Sequence, residues 1–418
     1  MDELVELSLI ERKAFEPASD RKFSTHPLVH EWTRERLNID EKRQNSIQAV
    51  LLVVSILQLE EERTPEYLTW ERRIRGHLFT LERHLSRYFS QVQPYTLDES
   101  IYNSISKIAH VFIEWCNYDV SSRLLNTALE GLEKLVGPDH PSTLSTVLNI
   151  SRIFNNKGQY DKALEWYQRA LDGYENSLES DHPSTLCTVN SMAIVFWKKG
   201  ENDKALEWYQ RALDGYENSF GSNHPSTLRT VNNMAIVFWK KGENDKALEW
   251  YQRALDGYEN SLGSDHPSTL DTVNNMAVVF RNKGENDKAL EWYQRALDGH
   301  ENLLGSGHST TLRTVYNMGV LFESTKEYNK ALECYKRALA GYENSLGNDH
   351  PKTLNTIYNM GDTFEQQNQY EEALKSFRKA YNGYQKFYGE NHSETVAALK
   401  RIARVEEKIS TAGSRDVS

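Results

Sequence analysis

SNHPSTLRTVNNMAIVFWKKGENDKALEWYQRALDGYENSLG, residues Ser222–Gly263, is one copy of a unit that this chain repeats along most of its length. His-Pro recurs at His140, His182, His224, His266 and His350, and the same slot holds His308-Ser309 and His392-Ser393, each step being 42 residues or a multiple of it. A fixed period of this size marks a stacked array of supersecondary units. Within the quoted copy, Pro225 suits the first turn of a helix, because its φ is preset and its missing amide hydrogen has no use there. His224 or Asn223 is placed to cap that helix. Leu228, Val231, Ala235 and Phe238 then recur at helical spacing, with Met234 on the edge of the stripe. Gly242 stops the helix, since glycine takes the left-handed conformation without a steric penalty. Asp245 opens a second helix with a wider stripe of Ala247, Leu248, Tyr251, Ala254, Leu255, Tyr258 and Leu262, closed by Gly263. One such hairpin covers only part of its own apolar surface, so neighbouring units must cover the rest.

The small residue, Phe, Ala-Leu, Tyr and Arg-Ala-Leu at these offsets resemble the tetratricopeptide repeat. The 42-residue version carrying NHPSTLRTVNNMA and RALDGYENSLG is similar to the kinesin-light-chain type of that repeat. The resemblance implies an all-α fold, a right-handed α-solenoid of helix-turn-helix units, with a non-catalytic role as a scaffold for partner proteins. Seven units are expected at 98–139, 140–181, 182–223, 224–265, 266–307, 308–349 and 350–391, the first with an eroded frame of Tyr102, Ile105, Ala109 and Phe112, then Leu125, Ala128, Leu129, Leu132 and Val136. A closing helix at 392–409 and a disordered tail at 410–418 follow. Glycine falls inside the second helix of every unit, at Gly131, Gly173, Gly215, Gly257, Gly299, Gly341 and Gly383. A mid-helix glycine costs about 0.8–1 kcal/mol against alanine, so a neighbouring helix is expected close enough to exclude a Cβ there.

Residues 1–97 have a different texture. FSTHPLVHEWTRERL, beginning at Phe23, resembles the end of the winged-helix module that follows the nucleotide-binding (NB-ARC) domain in fungal NOD-like receptor proteins with tetratricopeptide tails. Residues 1–40 are therefore expected to be a winged-helix-like remnant and residues 41–97 a helical cap on the array, built from Glu41–Leu59 and Pro65–Phe89. No Gly-x-x-x-x-Gly-Lys-Ser/Thr phosphate loop is present, which leaves no nucleotide or other cofactor to expect. This pattern reads as a truncated receptor or a fragment retaining the sensor half. His26 and His30 stand four apart without a third ligand nearby, and a packed helix start is the better reading of them.

Composition narrows the partners. A net charge of −11 argues against nucleic acid and favours basic protein surfaces. The longest apolar run, Ala49–Leu57, is too short to span a bilayer, and the acidic start MDELVELSLIERKAF is unlike a secretory signal. Cys116, Cys187 and Cys334 are scattered without paired spacing, which fits a reducing, cytoplasmic setting better than a disulfide framework. The oligomeric state is left open.

Comparison of the units with each other points to a binding surface. His182–Asn223 and His224–Asp265 differ only at Cys187/Arg229, Ser191/Asn233, Phe220/Leu262 and Asn223/Asp265, and the next unit adds Asp271, Val278, Arg281 and Asn282. Several of these changes share one stripe of the first helix, at offsets 5, 8, 12 and 15 from the histidine. Cys187, Asn190, Ile194, Trp197, Arg229, Asn232, Ile236, Trp239, Asp271, Asn274, Arg281, Arg313, Tyr316 and Tyr358 lie on it. In tetratricopeptide arrays this face resembles the lining of a concave, peptide-binding groove. Asn190, Asn232 and Asn274 form a ladder suited either to a peptide backbone or to hydrogen bonds between repeats. Trp197 and Trp239 are of the kind enriched in binding hot spots, whereas Trp166, Trp208, Trp250 and Trp292 of the second helix read as packing. Aliphatic residues at offset 12 (Ile194, Ile236, Val278, Val320) argue against a carboxylate clamp for chaperone tails. The periodic histidines are separated by whole hairpins, which excludes convergence on a metal or as a catalytic base. Two other roles share the same scaffold: a kinesin-light-chain-like cargo adaptor, against which residues 1–97 show no sustained heptads, and a regulatory subunit acting in trans on a nucleotide-binding protein.

Overall fold

The structure, a computed structural model, describes residues 11–12, 23–24 and 97–415. A two-residue antiparallel ladder pairs β1 (Glu11–Arg12) with β2 (Phe23–Ser24). The winged-helix-like remnant expected over 1–40 and the helical cap expected over 41–97 otherwise lie outside the described residues. From Glu99 onward the chain is helical, in seven consecutive hairpins. These are α1 (Glu99–Glu114) with α2 (Tyr118–Leu135), α3 (Pro141–Asn156) with α4 (Tyr160–Ser177), α5 (Pro183–Lys198) with α6 (Asn202–Phe220), and α7 (Pro225–Lys240) with α8 (Asn244–Leu262). They continue as α9 (Pro267–Asn282) with α10 (Asn286–Leu304), α11 (Ser309–Ser324) with α12 (Tyr328–Ser345), and α13 (Pro351–Gln366) with α14 (Tyr370–Tyr388). A lone α15 (Ser393–Arg415) closes the array. It runs into the stretch expected to be a disordered tail, because Lys408 Nζ holds Glu365 Oε1 of α13 at 2.7 Å and Ile409 packs beside α14.

Local chemistry sets each boundary. His224, not Asn223, caps α7: its Nδ1 accepts a hydrogen bond from the Ser226 amide at 3.2 Å. The same bond recurs from His140 to His392, so the periodic histidines are helix caps. The turn inside each hairpin needs a left-handed residue, supplied by Gly242 at φ 80° in the fourth repeat and by Cys116, Lys326 and Asn368 in the first, sixth and seventh. Between repeats, the hydroxyl of Thr227 donates to the Gly221 carbonyl at 2.9 Å, and the equivalent threonine does so along the array.

The core lies between the two helices of a repeat and the first helix of the next. Leu228, Val231, Met234, Ala235 and Val237 of α7 are buried, with Ala247, Tyr251, Ala254, Leu255 and Tyr258 of α8. Met234 and Val237 lie deeper than the stripe suggested, and Phe238 is half-buried, because α7 is covered on two sides. Burying each large side chain is worth about 1.5–3 kcal/mol. The repeated glycine has the steric cause expected of it: a Cβ on Gly257 would lie 2.9 Å from Leu228 Cδ1 and closer still to Cδ2. The pair is Gly299 with Leu270 in the next repeat and Gly131 with Tyr102 in the first.

Curvature follows from how successive repeats touch. First helices contact first helices across neighbouring repeats through short side chains, as in the bonds from Ser106 to Thr146 and from Thr230 to Asn190. Second helices are spanned by long ion pairs such as Arg211–Glu175, Arg253–Glu217 and Arg295–Glu259. The side with the shorter spacing is the inside of the curve, so the first helices form the inner wall.

Candidate functional site: the inner wall

The stripe singled out in the sequence lies on first helices, and the structure divides its members into two groups. Asn190 and Asn274 do not present themselves to a ligand, contrary to expectation: they are 5% and 1% exposed. Their carbonyl oxygens accept from Thr230 Oγ1 at 3.2 Å and from Asn317 Nδ2 at 3.2 Å, each in the next repeat. Asn232 is half-buried and accepts from Thr272 Oγ1 at 3.3 Å. Tyr316 and Tyr358 continue the series, accepting from Asn359 Nδ2 at 2.6 Å and from Arg401 Nε at 3.3 Å. Offset 8 is thus a seam of hydrogen bonds between repeats. A one-repeat rise places each such side chain opposite the Thr or Asn of its neighbour.

The second group is reachable. Ile194, Ile236, Val278 and Val320 form a half-buried apolar strip, flanked by half-buried Trp197 and Trp239. The indole N–H of Trp239 is itself buried and has no protein acceptor, and Lys240 Nζ stands 4.4 Å from its ring. Cys187 is half-buried and Arg229 exposed on the same face. Arg152, Lys198, Arg229, Lys240 and Arg281 pair with no carboxylate among the described residues, although cations on the outer helices repeatedly do. Farther along the wall, carboxylates and cations are paired with one another. Glu365, buried, is held by Arg404 Nε at 2.9 Å and Lys408 Nζ at 2.7 Å, with Asp362 3.1 Å from Arg401. Burial pushes the Asp362 carboxyl up to about 6, against the pull of Arg401. Burial likewise pushes up Glu323, which accepts from the Tyr335 hydroxyl at 2.8 Å. Glu323 and Glu365 occupy offset 15 of the sixth and seventh repeats, the register of Arg281 in the fifth, and so extend the stripe beyond the residues singled out in the sequence.

Asp271 and Arg313 pair with one another across repeats, so neither is free on the wall. Asp271 also lies 3.5 Å from Nε2 of His300, a buried residue that the sequence reading missed. His300 stands where Tyr216, Tyr258 and Tyr342 occur in sister repeats, a difference visible in the same unit-to-unit comparison. Burial raises the Asp271 carboxyl, but His300 and Arg313 together outweigh it and hold the group below its ordinary value. His300 Nδ1 lies 3.2 Å from Thr314 Oγ1, giving an order of hydroxyl, imidazole and carboxylate. Thr314 and His300 are both at 0% exposure, so no substrate reaches that hydroxyl, and the chain of contacts ties the fifth repeat to the sixth.

Trp166, Trp208, Trp250 and Trp292 pack as expected, each beside a phenylalanine of its own repeat and an arginine of its own helix. His26 and His30 lie outside the described residues. Among those described, no group of three or more His, Cys, Asp or Glu is placed to hold a metal ion, and no helix is long and apolar enough to cross a membrane.

Comparison with known proteins bears on the fold. Aspartyl phosphate phosphatase F from Bacillus subtilis superposes with a TM-score of 0.56 at 12% identity, over 84% of this chain and 94% of that one, which shows the fold alone. The nearly identical tetratricopeptide-like repeats of a protein described as a Podospora anserina kinesin light chain match at 22% identity, with a TM-score of 0.40, over 49% of this chain and 97% of that one. A Rap protein complexed with competence and sporulation factor matches at 13% identity and a TM-score of 0.48, over 89% and 97%. Among curated proteins, none matches. The tetratricopeptide-repeat profile matches six overlapping times, at 100–176, 142–218, 184–260, 226–302, 268–344 and 310–386, together more than half of the sequence. With seven stacked hairpins on the same period, the chain belongs to the tetratricopeptide-repeat family.

Proposed function

We propose that this protein is a non-enzymatic scaffold that holds a protein or peptide segment against its inner wall. The observation carrying this reading is the combination, on one face, of the half-buried apolar strip Ile194, Ile236, Val278 and Val320 with the cations Arg152, Lys198, Arg229 and Arg281, which have no carboxylate partner among the described residues. An apolar strip supplies affinity, and charges at its margin select the partner. Net charge alone favoured a basic partner, but a ligand meets the local field first, so carboxylates suit the second to fifth repeats better. The FSTHPLVHEWTRERL segment supports a place as the partner-binding part of a fungal NOD-like receptor-type protein, working in the cytoplasm. The 42-residue period supports a second reading, a kinesin-light-chain-like cargo adaptor.

The test is charge reversal on the wall. Arg229→Glu with Arg281→Glu is expected to abolish capture of a partner isolated with the wild-type chain, while the helical circular dichroism signal and melting hold. Equivalent reversals on the outer helices, at Lys162 and Lys336, leave capture intact. Undiminished capture by the inner-wall variant overturns the proposal.

A further inference from the structure

Two contacts join residues far apart in the chain. Cys116, in the turn between α1 and α2, places its Sγ 3.5 Å from Nε2 of His350, the cap of α13 and 234 positions away. The Tyr118 ring, at the start of α2, lies edge-on to Phe387 of α14, with centroids 6.2 Å apart. His350 Nδ1 accepts from the Lys352 amide at 3.1 Å, so a neutral ring carries its proton on Nε2, the atom facing the sulfur. Burial pushes up both the Cys116 thiol and the Tyr118 hydroxyl. The first repeat therefore touches the seventh, six repeats farther along the array.

At this meeting point the first and seventh repeats, which diverge from the central units along their whole length, carry residues unlike those of the central units. The slot of Cys116 is glycine at Gly158, Gly200, Gly242 and Gly284, and is also filled by Lys326 and Asn368 in the last two repeats. Cys116 adopts φ 56° there, a conformation that disfavours any side chain. The slot of Phe387 is serine at Ser177, Ser219, Ser261 and Ser345. Leu303, in that same slot, stands 42% exposed, whereas Phe387 is half-buried beneath Tyr118. The slot of Lys352 is serine at Ser142, Ser184, Ser226 and Ser268, and its ammonium lowers the Cys116 thiol's pKa, opposing burial and Glu114, which raise it.

We propose that the first and seventh repeats form a clasp, through Cys116, Tyr118, His350 and Phe387, that closes the solenoid and controls access to its inner wall. A slender chain enters along the axis, whereas a bulky partner needs the clasp to part. The access claim rests on the inner-wall reading above; the clasp itself does not.

The test restores the residues of the sister repeats, Cys116→Gly and Phe387→Ser, in the full chain carrying Cys334→Ser. Each replacement already occupies its slot elsewhere in the array, so the fold is retained. Cys187, half-buried on the inner wall, is the reporter. Against the Cys334→Ser chain, the restored variant is expected to show a larger maximum dimension by small-angle scattering. A maleimide on a long polyethylene-glycol chain should label Cys187 several-fold faster, quantified by peptide mapping, while N-ethylmaleimide labels it at an unchanged rate. An unchanged scattering curve overturns the clasp. An expanded chain with an unchanged ratio of the two labelling rates overturns its control of access. Neither measurement uses a ligand, so failure here leaves the binding proposal standing, and failure of capture leaves the clasp standing.

Discussion

Replacing the second-helix glycines by alanine sets two physical effects against each other with opposite signs. Helix propensity alone favours Gly257→Ala by about 0.8–1 kcal/mol. The new Cβ, however, would stand 2.9 Å from Leu228 Cδ1 and nearer to Cδ2, and Leu228 is buried, so its methyl groups must shift within the core. Overpacking of this kind costs about 1–3 kcal/mol, so the net effect is a loss of about 1 kcal/mol per site. Gly215 meets Leu186 and Gly299 meets Leu270 in the same way. The three sites lie in separate repeats without shared partners, so their effects add. The triple variant is expected to lose about 3 kcal/mol in urea unfolding followed by circular dichroism, against a gain of similar size if propensity ruled. Adding Leu228→Val to Gly257→Ala should recover part of the loss, since it removes the atoms in conflict. A triple variant with a raised urea midpoint refutes the close-approach argument.

Other outcomes follow from single observations. Lys326, at φ 64° in a slot where four sister repeats carry glycine, should gain about 1 kcal/mol on Lys326→Gly, read as a higher melting midpoint. His224→Ala removes the acceptor for the Ser226 amide and should cost about 1 kcal/mol, whereas His224→Asn should cost much less. The Asp362 carboxyl sits at about 6 in the fold against an ordinary 3.8, so the folded state holds its proton longer than the unfolded one. Stability from this group is full below pH 3.8 and falls as pH rises towards 6, by up to about 3 kcal/mol, then stays level. Asp362→Asn should therefore remove that fall, and parallel wild-type and variant midpoints across this range would contradict it.

Periodicity alone determined the architecture. A 42-residue step, Pro after His, and stripes at helical spacing specify two helices per unit whatever the packing details, because each signal acts within a few residues of chain. The glycine at Gly257 and its sisters was legible for the same reason: an unfavourable residue kept in every copy needs a steric cause. The candidate site was legible only as a stripe. Whether Asn190 faces a ligand or a neighbouring repeat depends on the rise between repeats, which places Thr230 against its carbonyl oxygen and is written in no single helix. Arg313 likewise looked free until the stacking brought Asp271 beside it. The meeting of Cys116 with His350 depends on the angle between repeats summed over six steps, a quantity set by side-chain packing along the whole array. Local sequence fixes what each repeat is, while accumulated small rotations between repeats fix which of its side chains remain reachable.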